Sequence, residues 1–137
     1  MPDVTAFEHN SSVGWSKEAV HKELNRRHGL QFVAYDDCVN TAIGWCCGFR
    51  VGEEAELLRI AVAIDKRRCG VASALLVQFE KVCAEEEVSS IFLEVASRNT
   101  SALRLYDKFG YSQVGIRRGY YNNPLDDALV MNKMFSR

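Results

Sequence analysis

The sequence predicts a mixed α/β fold, an α+β sheet whose antiparallel first half leads into a parallel β-α-β crossover at the centre. Two observations support this. Apolar and β-branched segments between short polar turns fill the first half, and a buried strand, a helix and a second strand follow one another in the middle. No linker or repeat divides the 137 residues, so we expect a single domain over 1–137.

The first half contains one predicted helix and three predicted strands. Ser16 can cap a helix that runs to about Arg27. The strands are expected over Leu30–Tyr35, Thr41–Val51 and Glu56–Ile64. The third strand is a long apolar run, which indicates a central strand that is buried on both faces.

The second half contains two predicted helices and three predicted strands. Apolar residues recur every three to four positions over Val71–Glu86, which predicts a helix. A second helix is predicted over Asn99–Phe109, and Gly110 can end it in a left-handed conformation. The strands are expected over Ile91–Val95, Tyr111–Arg117 and Ala128–Phe135, the last two as an antiparallel pair.

Composition argues against several classes of protein. The formal net charge of -1 provides no overall basic field for nucleic acid or a membrane. A run of ~18 apolar residues is absent, and residues 1–10 do not resemble a secretory signal, so we expect no transmembrane helix. The five cysteines cannot all pair, and adjacent Cys46 and Cys47 would point to opposite faces of a strand. We therefore expect reduced cysteines, no metal site and a cytoplasmic protein.

The loop Arg67-Arg68-Cys69-Gly70-Val71-Ala72, between the central strand and the next helix, is the most informative stretch. A helix N-terminus offers unpaired amides and a partial positive charge, and glycine lets an anion approach the backbone. Basic residues are unfavourable at that end of a helix, and a bound pyrophosphate would explain them. The Walker and dinucleotide-binding glycine patterns are both absent. A basic loop that merely caps the helix is the alternative.

This loop resembles the Arg/Gln-x-x-Gly-x-Gly/Ala motif with which GNAT-superfamily N-acetyltransferases hold the coenzyme A pyrophosphate. Further segments match that family in order and spacing: Ile60–Asp65, Leu93–Val95, Asn99, Ala102–Tyr106 and Phe109–Tyr111. Two more, Arg117–Tyr121 and Trp15-Ser16, are similar to the RimI-like enzymes, which acetylate protein N-termini. The resemblance covers nearly the whole chain and implies the GNAT fold. The family's first strand is expected to be missing, which would expose an edge of the sheet.

The resemblance implies acetyl-CoA as cosubstrate, without a metal. Backbone groups of Ile60, Ala61 and Val62 would hold the pantetheine arm and the thioester oxygen, and Asn99 would bond to the arm. The pyrophosphate site would consist of Arg67, Arg68, Cys69, Gly70, Val71, Ala72 and Ser73. Cys69 would act through its amide, with a reactive thiol as the alternative. Asn99 can also simply cap its helix.

The resemblance implies two residues for proton transfer. Glu94 alternates with apolar residues, so we expect it to be half-buried, and it would be the general base. The alternative is a strand-end charge in solvent or paired with Arg98. Tyr106 follows Asn99 by two helical turns, so the two share a face, and Tyr106 would be the general acid for the leaving thiolate. An ordinary core aromatic is the alternative for Tyr106.

Three functions stay open. The first is acetylation of a protein N-terminus, such as a ribosomal-protein alanine, with Trp15, Tyr120 and Tyr121 lining the substrate mouth. For these aromatics, core or edge packing is the alternative. The second is a GNAT enzyme for a polyamine, an amino acid or an antibiotic. The third is a non-catalytic coenzyme A-binding module, against which the presence of both Glu94 and Tyr106 argues. The expected partner is a peptide or protein N-terminus, without nucleic acid or membrane.

Overall fold

The computed structural model describes residues 29–36, 38, 41–67, 70–122 and 125–135. These residues form a mixed sheet of six strands with two helices. The strands are β1 (Gly29–Asp36), β2 (Thr41–Val51), β3 (Glu54–Val62), β4 (Ser90–Ala96), β5 (Ser112–Tyr121) and β6 (Asp126–Met134). The helices are α1 (Val71–Glu85) and α2 (Thr100–Lys108), and a short 3-10 turn covers Ile64–Lys66.

The predicted elements that fall on described residues are all confirmed, with boundaries moved by up to four residues. The third strand ends before Ile64, because the Lys66 amide donates to the Ala63 carbonyl and closes the 3-10 turn. The fifth strand continues beyond Arg117 to Tyr121 through an irregular stretch of its pairing with β6. The predicted N-terminal helix and the predicted loss of a strand before it lie outside the described residues.

The sheet has the strand order β1-β2-β3-β4-β6-β5. Neighbours are antiparallel except for β3 and β4, which are parallel and joined through α1. The predicted antiparallel first half and central parallel crossover are therefore confirmed. The parallel pair lies in the middle of the sheet, where a connection through a helix is required.

The central strands β3 and β4 separate part-way along their length. Their register pairs Glu54–Leu57 with Ser90–Leu93 and stops there, although β3 continues to Val62 and β4 to Ala96. At the same level the pairing of β3 with β2 is shifted by an irregularity between Cys47 and Gly48. A bulge bends its strand. The second half of β3 consequently leaves β4, and a gap opens in the middle of the sheet.

The main core lies on the face of the sheet that α1 and α2 cover. Its fully buried members include Leu76 and Phe79 of α1 and Ile91 of β4. A smaller cluster on the opposite face contains Trp45, Cys47 and Ala61. Cys46 belongs to the first cluster and Cys47 to the second, which confirms their predicted opposite orientation. Burial raises the pKa of Cys46 to about 12, so it remains a thiol at neutral pH.

The C-terminal end of α2 is fixed in place by polar and aromatic contacts. Gly110 has a φ of 90°, and the Tyr111 amide donates to the Tyr106 carbonyl at 2.9 Å, which is the left-handed helix stop predicted from the sequence. The Tyr106 and Tyr111 rings pack edge to face, 5.7 Å apart. The Tyr111 hydroxyl donates to Glu80 at 2.8 Å, and Lys133 pairs with the same carboxylate at 2.7 Å. These contacts tie α2 to α1 and β6.

We expect Gly48→Ala to lower the free energy of unfolding by about 1–3 kcal/mol. A Cβ atom at Gly48 would overlap the Glu56 carbonyl oxygen and lie 2.8 Å from the Phe79 ring, at the level where β3 changes register. Gly115→Ala is the control, because its Cβ atom would lie at an ordinary 3.6 Å from Val130. Urea unfolding of both variants measures the difference, and equal stabilities would contradict the steric argument.

Candidate active site

A cavity of about 670 Å³ lies between the end of β3, the start of α1 and the exposed side of α2. Its wall is formed by Arg59, Ile60, Ala61, Val62, Lys66, Arg67, Gly70, Val71, Ala72, Ser73, Asn99, Ser101, Ala102, Arg104, Leu105, Tyr106 and Lys108. Four of these residues, Arg59–Val62, belong to the part of β3 that has left β4. The gap in the sheet is therefore continuous with the cavity.

The structure brings the predicted cofactor residues together. All of those on described positions line the cavity: Ile60, Ala61, Val62, Arg67, Gly70, Val71, Ala72, Ser73 and Asn99. The other two, Arg68 and Cys69, lie outside the described residues, so the amide and thiol alternatives for Cys69 both stay predictions. Tyr106 shares the cavity wall with Asn99, as their seven-residue spacing predicted.

The N-terminus of α1 forms one end of the cavity. Gly70 precedes the helix with a φ of 80°, and no side chain caps α1 at this position. Among the described residues, none beyond the chain neighbours of Gly70 lies within 4 Å of the point that a Cβ atom at Gly70 would occupy. The first amides of a helix are unpaired and carry partial positive charge. An anion can therefore approach the backbone at Gly70 closely.

The cavity wall is positively charged. Its charged members in the described part of the chain are all basic, namely Arg59, Lys66, Arg67, Arg104 and Lys108. Lys66 pairs with a carboxylate outside the cavity, and Arg67 donates to a backbone carbonyl of β3 at 3.2 Å, so both side chains are held near the rim. This charge suits a ligand that carries phosphate groups.

Sequence reasoning missed four of these basic residues, namely Arg59, Lys66, Arg104 and Lys108. Arg104 and Lys108 stand one turn apart on α2, a spacing at which like charges destabilise a helix by a few tenths of a kcal/mol. That unfavourable pair was the signal available for an anionic ligand. Arg59 is a single charge in an otherwise apolar strand segment, which was the signal for a residue at a site.

Glu94 lies at the point where the gap begins. It is the first residue of β4 beyond the last pair with β3, and its side chain is 26% exposed, as the alternating pattern predicted. Its Oε1 atom accepts a hydrogen bond from Arg117 Nη1 at 2.8 Å. The alternative of an ion pair with Arg98 is wrong. Arg98 follows β4 in a turn, where its amide donates to Asp126, whereas Arg117 lies on the same face of the sheet as Glu94.

Tyr106 belongs to both the core and the cavity wall. The residue is 7% exposed and packs in the main cluster, as the alternative of a core aromatic has it, yet it also lines the cavity. Burial raises the pKa of Tyr106, and the positive charge of Arg59 opposes that rise. The phenol therefore stays protonated at neutral pH and can donate a hydrogen bond.

Asn99 caps α2, because its Oδ1 atom accepts a hydrogen bond from the Ala102 amide at 3.2 Å. The capping alternative is thus confirmed. The same residue lines the cavity, so capping and a contact with a ligand are compatible.

Glu94 and Tyr106 approach the gap from opposite faces of the sheet. Leu93 and Val95 point into the helix-covered core, so Glu94 between them points to the other face. Burial is the main cause that raises the pKa of Tyr121, and the negative charge of Glu94 raises it further. The positive charge of Arg59 opposes this rise. The positive charge of Arg59 thus acts on both Tyr106 and Tyr121.

The two tyrosines of the predicted mouth lie at the end of β5, on the Glu94 side of the sheet. Tyr120 and Tyr121 pack edge to face with their ring centroids 5.1 Å apart. The guanidinium of Arg117 lies 3.9 Å from the Tyr120 centroid. Tyr120 is 46% exposed, so core packing is wrong for this residue. Neither tyrosine lines the cavity, and Trp15 lies outside the described residues.

The described residues contain no group of His, Cys, Asp and Glu side chains placed to hold a metal ion. None of their helices has the length and apolar character needed to span a membrane.

Comparison with known proteins decides the family. The model of the acetyltransferase (GNAT) family matches residues 4–111. The chain belongs to this family. It is accordingly an acetyl-CoA-dependent N-acetyltransferase with acetyl-CoA as its cosubstrate, and its mixed sheet has the GNAT fold.

The similar proteins include bacterial enzymes named for one acceptor. The ribosomal protein bS18-alanine N-acetyltransferase of Salmonella typhimurium is 35% identical over 120 residues, which cover 85% of this chain and 78% of that enzyme. The Escherichia coli (strain K12) enzyme of the same name is 36% identical over 81 residues, which cover 58% of this chain and 55% of that enzyme. The crystal structure of the ribosomal-protein-S18-alanine N-acetyltransferase from Escherichia coli has a TM-score of 0.89 at 26% identity, and covers 97% of this chain and 86% of that one. The RimI-like resemblance is therefore confirmed for this GNAT acetyltransferase.

We expect Gly70→Asp to weaken coenzyme A binding by about tenfold or more, which is about 1.4 kcal/mol. The new carboxylate would stand where an anion must approach the N-terminus of α1. Gly52→Asp is a matched control, because Gly52 also has a positive φ of 61° and open surroundings but lies outside the cavity. Titration calorimetry measures both dissociation constants. Equal weakening in the two variants would show that α1 does not hold the phosphates.

Proposed function

We propose that this GNAT enzyme transfers the acetyl group of acetyl-CoA to the α-amino group of a protein N-terminus, such as a ribosomal-protein alanine, in the cytoplasm. One observation carries the proposal. The gap between β3 and β4 has a cationic cavity on one side and a carboxylate, Glu94, on the other. Similar enzymes named for acetylation of a ribosomal-protein N-terminus support the choice of acceptor.

The cavity would hold acetyl-CoA in an extended form. The pyrophosphate would lie against the N-terminus of α1, with Arg67 at the rim. The pantetheine arm would run along Ile60–Val62, whose backbone has lost its neighbour on the β4 side. Strand backbone needs hydrogen-bond partners, and the two amides of the arm can supply them. Asn99 and the basic residues of α2 would contact the cofactor from the other wall.

The reaction would proceed by direct attack of the amine on the thioester. Glu94, alone or through a water, accepts a proton from the ammonium. The amine nitrogen then bonds to the thioester carbon. Negative charge that builds on the carbonyl oxygen meets a backbone amide of the unpaired part of β3. When the carbon-sulfur bond breaks, the Tyr106 hydroxyl donates a hydrogen bond to the forming thiolate, and the second proton that the nitrogen loses ends on the sulfur through water. The products are an acetylated amine and coenzyme A.

Tyr106 would act mainly as a hydrogen-bond donor to the leaving sulfur. An ordinary phenol already has a pKa about 1.5 units above that of a thiol, and burial raises the pKa of Tyr106 further. Complete transfer of its proton is therefore uphill. A hydrogen bond that strengthens as the thiolate forms avoids that cost, and the nearby charge of Arg59 supports it.

An α-amine is the easier acceptor on energetic grounds. Its pKa is about 2.5 units below that of a lysine side chain, which makes deprotonation easier by about 3.4 kcal/mol. The exposed ring of Tyr120 leaves the Glu94 side of the gap accessible, and a chain that continues beyond the amine can lie against it. A peptide end satisfies both conditions.

A panel of acceptors tests the proposal. The enzyme is incubated with acetyl-CoA and peptides that begin with Ala, Ser, Met or Gly, and in parallel with spermine and free lysine. Mass spectrometry should detect acetyl groups on peptide α-amines, with the alanine peptide among the best. Turnover of the small amines alone would replace the proposal with a small-amine acetyltransferase. Coenzyme binding without any turnover would indicate a non-catalytic module.

We expect Glu94→Gln to lower kcat by about 10²-fold or more, because the amide cannot accept the proton. The variant keeps the size of the side chain, and Glu94 is outside the cavity wall, so the dissociation constant of acetyl-CoA should not change. Glu85→Gln, at the exposed end of α1, is the control. Steady-state kinetics with unchanged kcat in Glu94→Gln would remove the residue from its role.

We also expect Tyr106→Phe to lower kcat by about 10²-fold, because the leaving thiolate loses its hydrogen-bond donor. The ring is kept, so packing against Tyr111 and the thermal midpoint should be preserved. Tyr35→Phe, at an exposed position of β1, should behave like the parent. A loss of acetyl-CoA affinity without a loss of kcat would assign Tyr106 to binding instead.

A further inference from the structure

We propose that Arg117 is a positioning residue for acetyl transfer. Its guanidinium holds the carboxylate of the base Glu94 and the ring of Tyr120 in a fixed position relative to each other. The proposal rests on the function proposed for Glu94 and goes beyond it. It assigns to a residue of β5, two strands away from β4, the alignment of the group that removes the proton.

Two contacts made by the same guanidinium carry the proposal. Arg117 Nη1 donates to Glu94 Oε1 at 2.8 Å, and the Arg117 guanidinium carbon lies 3.9 Å from the centre of the Tyr120 ring. An exposed ion pair alone contributes little, because both long side chains remain free to move. Here the aromatic face restricts the guanidinium, and the guanidinium restricts the carboxylate. The hydrogen bond to Glu94 raises the pKa of Arg117, so the positive charge persists at every working pH.

The sheet register explains how Arg117 reaches Glu94. Arg117 pairs with Ala128 of β6, and Ala128 pairs with Ala96 of β4. Directly paired residues point to the same face, so Arg117 stands on the face of Glu94. Ala128 is fully buried and has only a methyl group, which leaves room for the arginine side chain to cross β6. A larger residue at 128 would block this path.

The pairing leaves Glu94 able to accept a proton. Arg117 is its hydrogen-bond partner within the described part of the chain, and it uses Oε1 only. The second oxygen, Oε2, is thus available to the acceptor ammonium or to a relaying water. A base must be held within a few tenths of an ångström of its productive place. The hydrogen bond from Arg117 at 2.8 Å supplies such a restraint.

The test compares Arg117→Gln and Arg117→Lys with Arg118→Gln on a peptide that the parent enzyme acetylates. Arg118 is a matched control, because it is the next residue on β5, its side chain is 81% exposed and it lies 4.0 Å from Asp127. Arg117→Gln should lower kcat at least about tenfold without changing the thermal midpoint or the dissociation constant of acetyl-CoA. Arg117→Lys should recover part of kcat, since it keeps the charge but not the planar stacking.

The double variant Glu94→Gln/Arg117→Gln provides the decisive measurement. If Arg117 acts through Glu94, the double variant is no slower than Glu94→Gln alone. Three results would each overturn the inference: losses that multiply in the double variant, a change confined to KM, or a parent-like kcat in Arg117→Gln. In each case, turnover by the parent enzyme would leave the proposed function standing. If the parent acetylates only small amines, the same cycle on such an amine still measures the coupling. If the parent acetylates no amine at all, both proposals fail.

Discussion

The loss of pairing between β3 and β4 after Leu57 and Leu93 is the constraint on which the site depends. A continuous sheet would satisfy its own backbone groups and would have no opening between its faces. The register shift beside Gly48 bends β3 away, and the absence of a Cβ atom there lets β2 approach α1 closely enough to permit the bend. The unpaired backbone then becomes a binding edge, since strand groups that lose one partner require another.

The gap also separates a positively charged cavity from a negatively charged side chain. The cavity on the helix side is lined with basic residues, which suits the phosphates of acetyl-CoA. Glu94 lies on the other face, at the end of the paired region, where its negative charge does not oppose the phosphates. Tyr106 is on the helix side, and the positive charge of Arg59 lowers the pKa of its phenol against the effect of burial. The sheet thus keeps the basic cavity and the Glu94 carboxylate on opposite faces, and the gap connects them.

The residues around the gap are fixed by contacts that lie outside it. Tyr106 is held at the end of α2 by the stop at Gly110 and by Tyr111, which is anchored on Glu80 and Lys133. Glu94 is held by Arg117, which rests on Tyr120. Glu94 and Tyr106 therefore each have their own support on a separate element, and each support can be altered without removing the residue itself.

The local pattern of the sequence alone determined three features: the helices and strands that fall on described positions, the helix stop at Gly110, and the shared face of Asn99 and Tyr106. These features follow from periodicity and turn chemistry within a few residues. The motif around Gly70 likewise predicted residues of one cavity wall. Only the tertiary structure decided that Glu94 pairs with Arg117, that Arg59, Arg104 and Lys108 converge on that cavity, and that β3 ends before Ile64. Those features depend on register between distant strands and on hydrogen bonds across them, which no short stretch of sequence specifies.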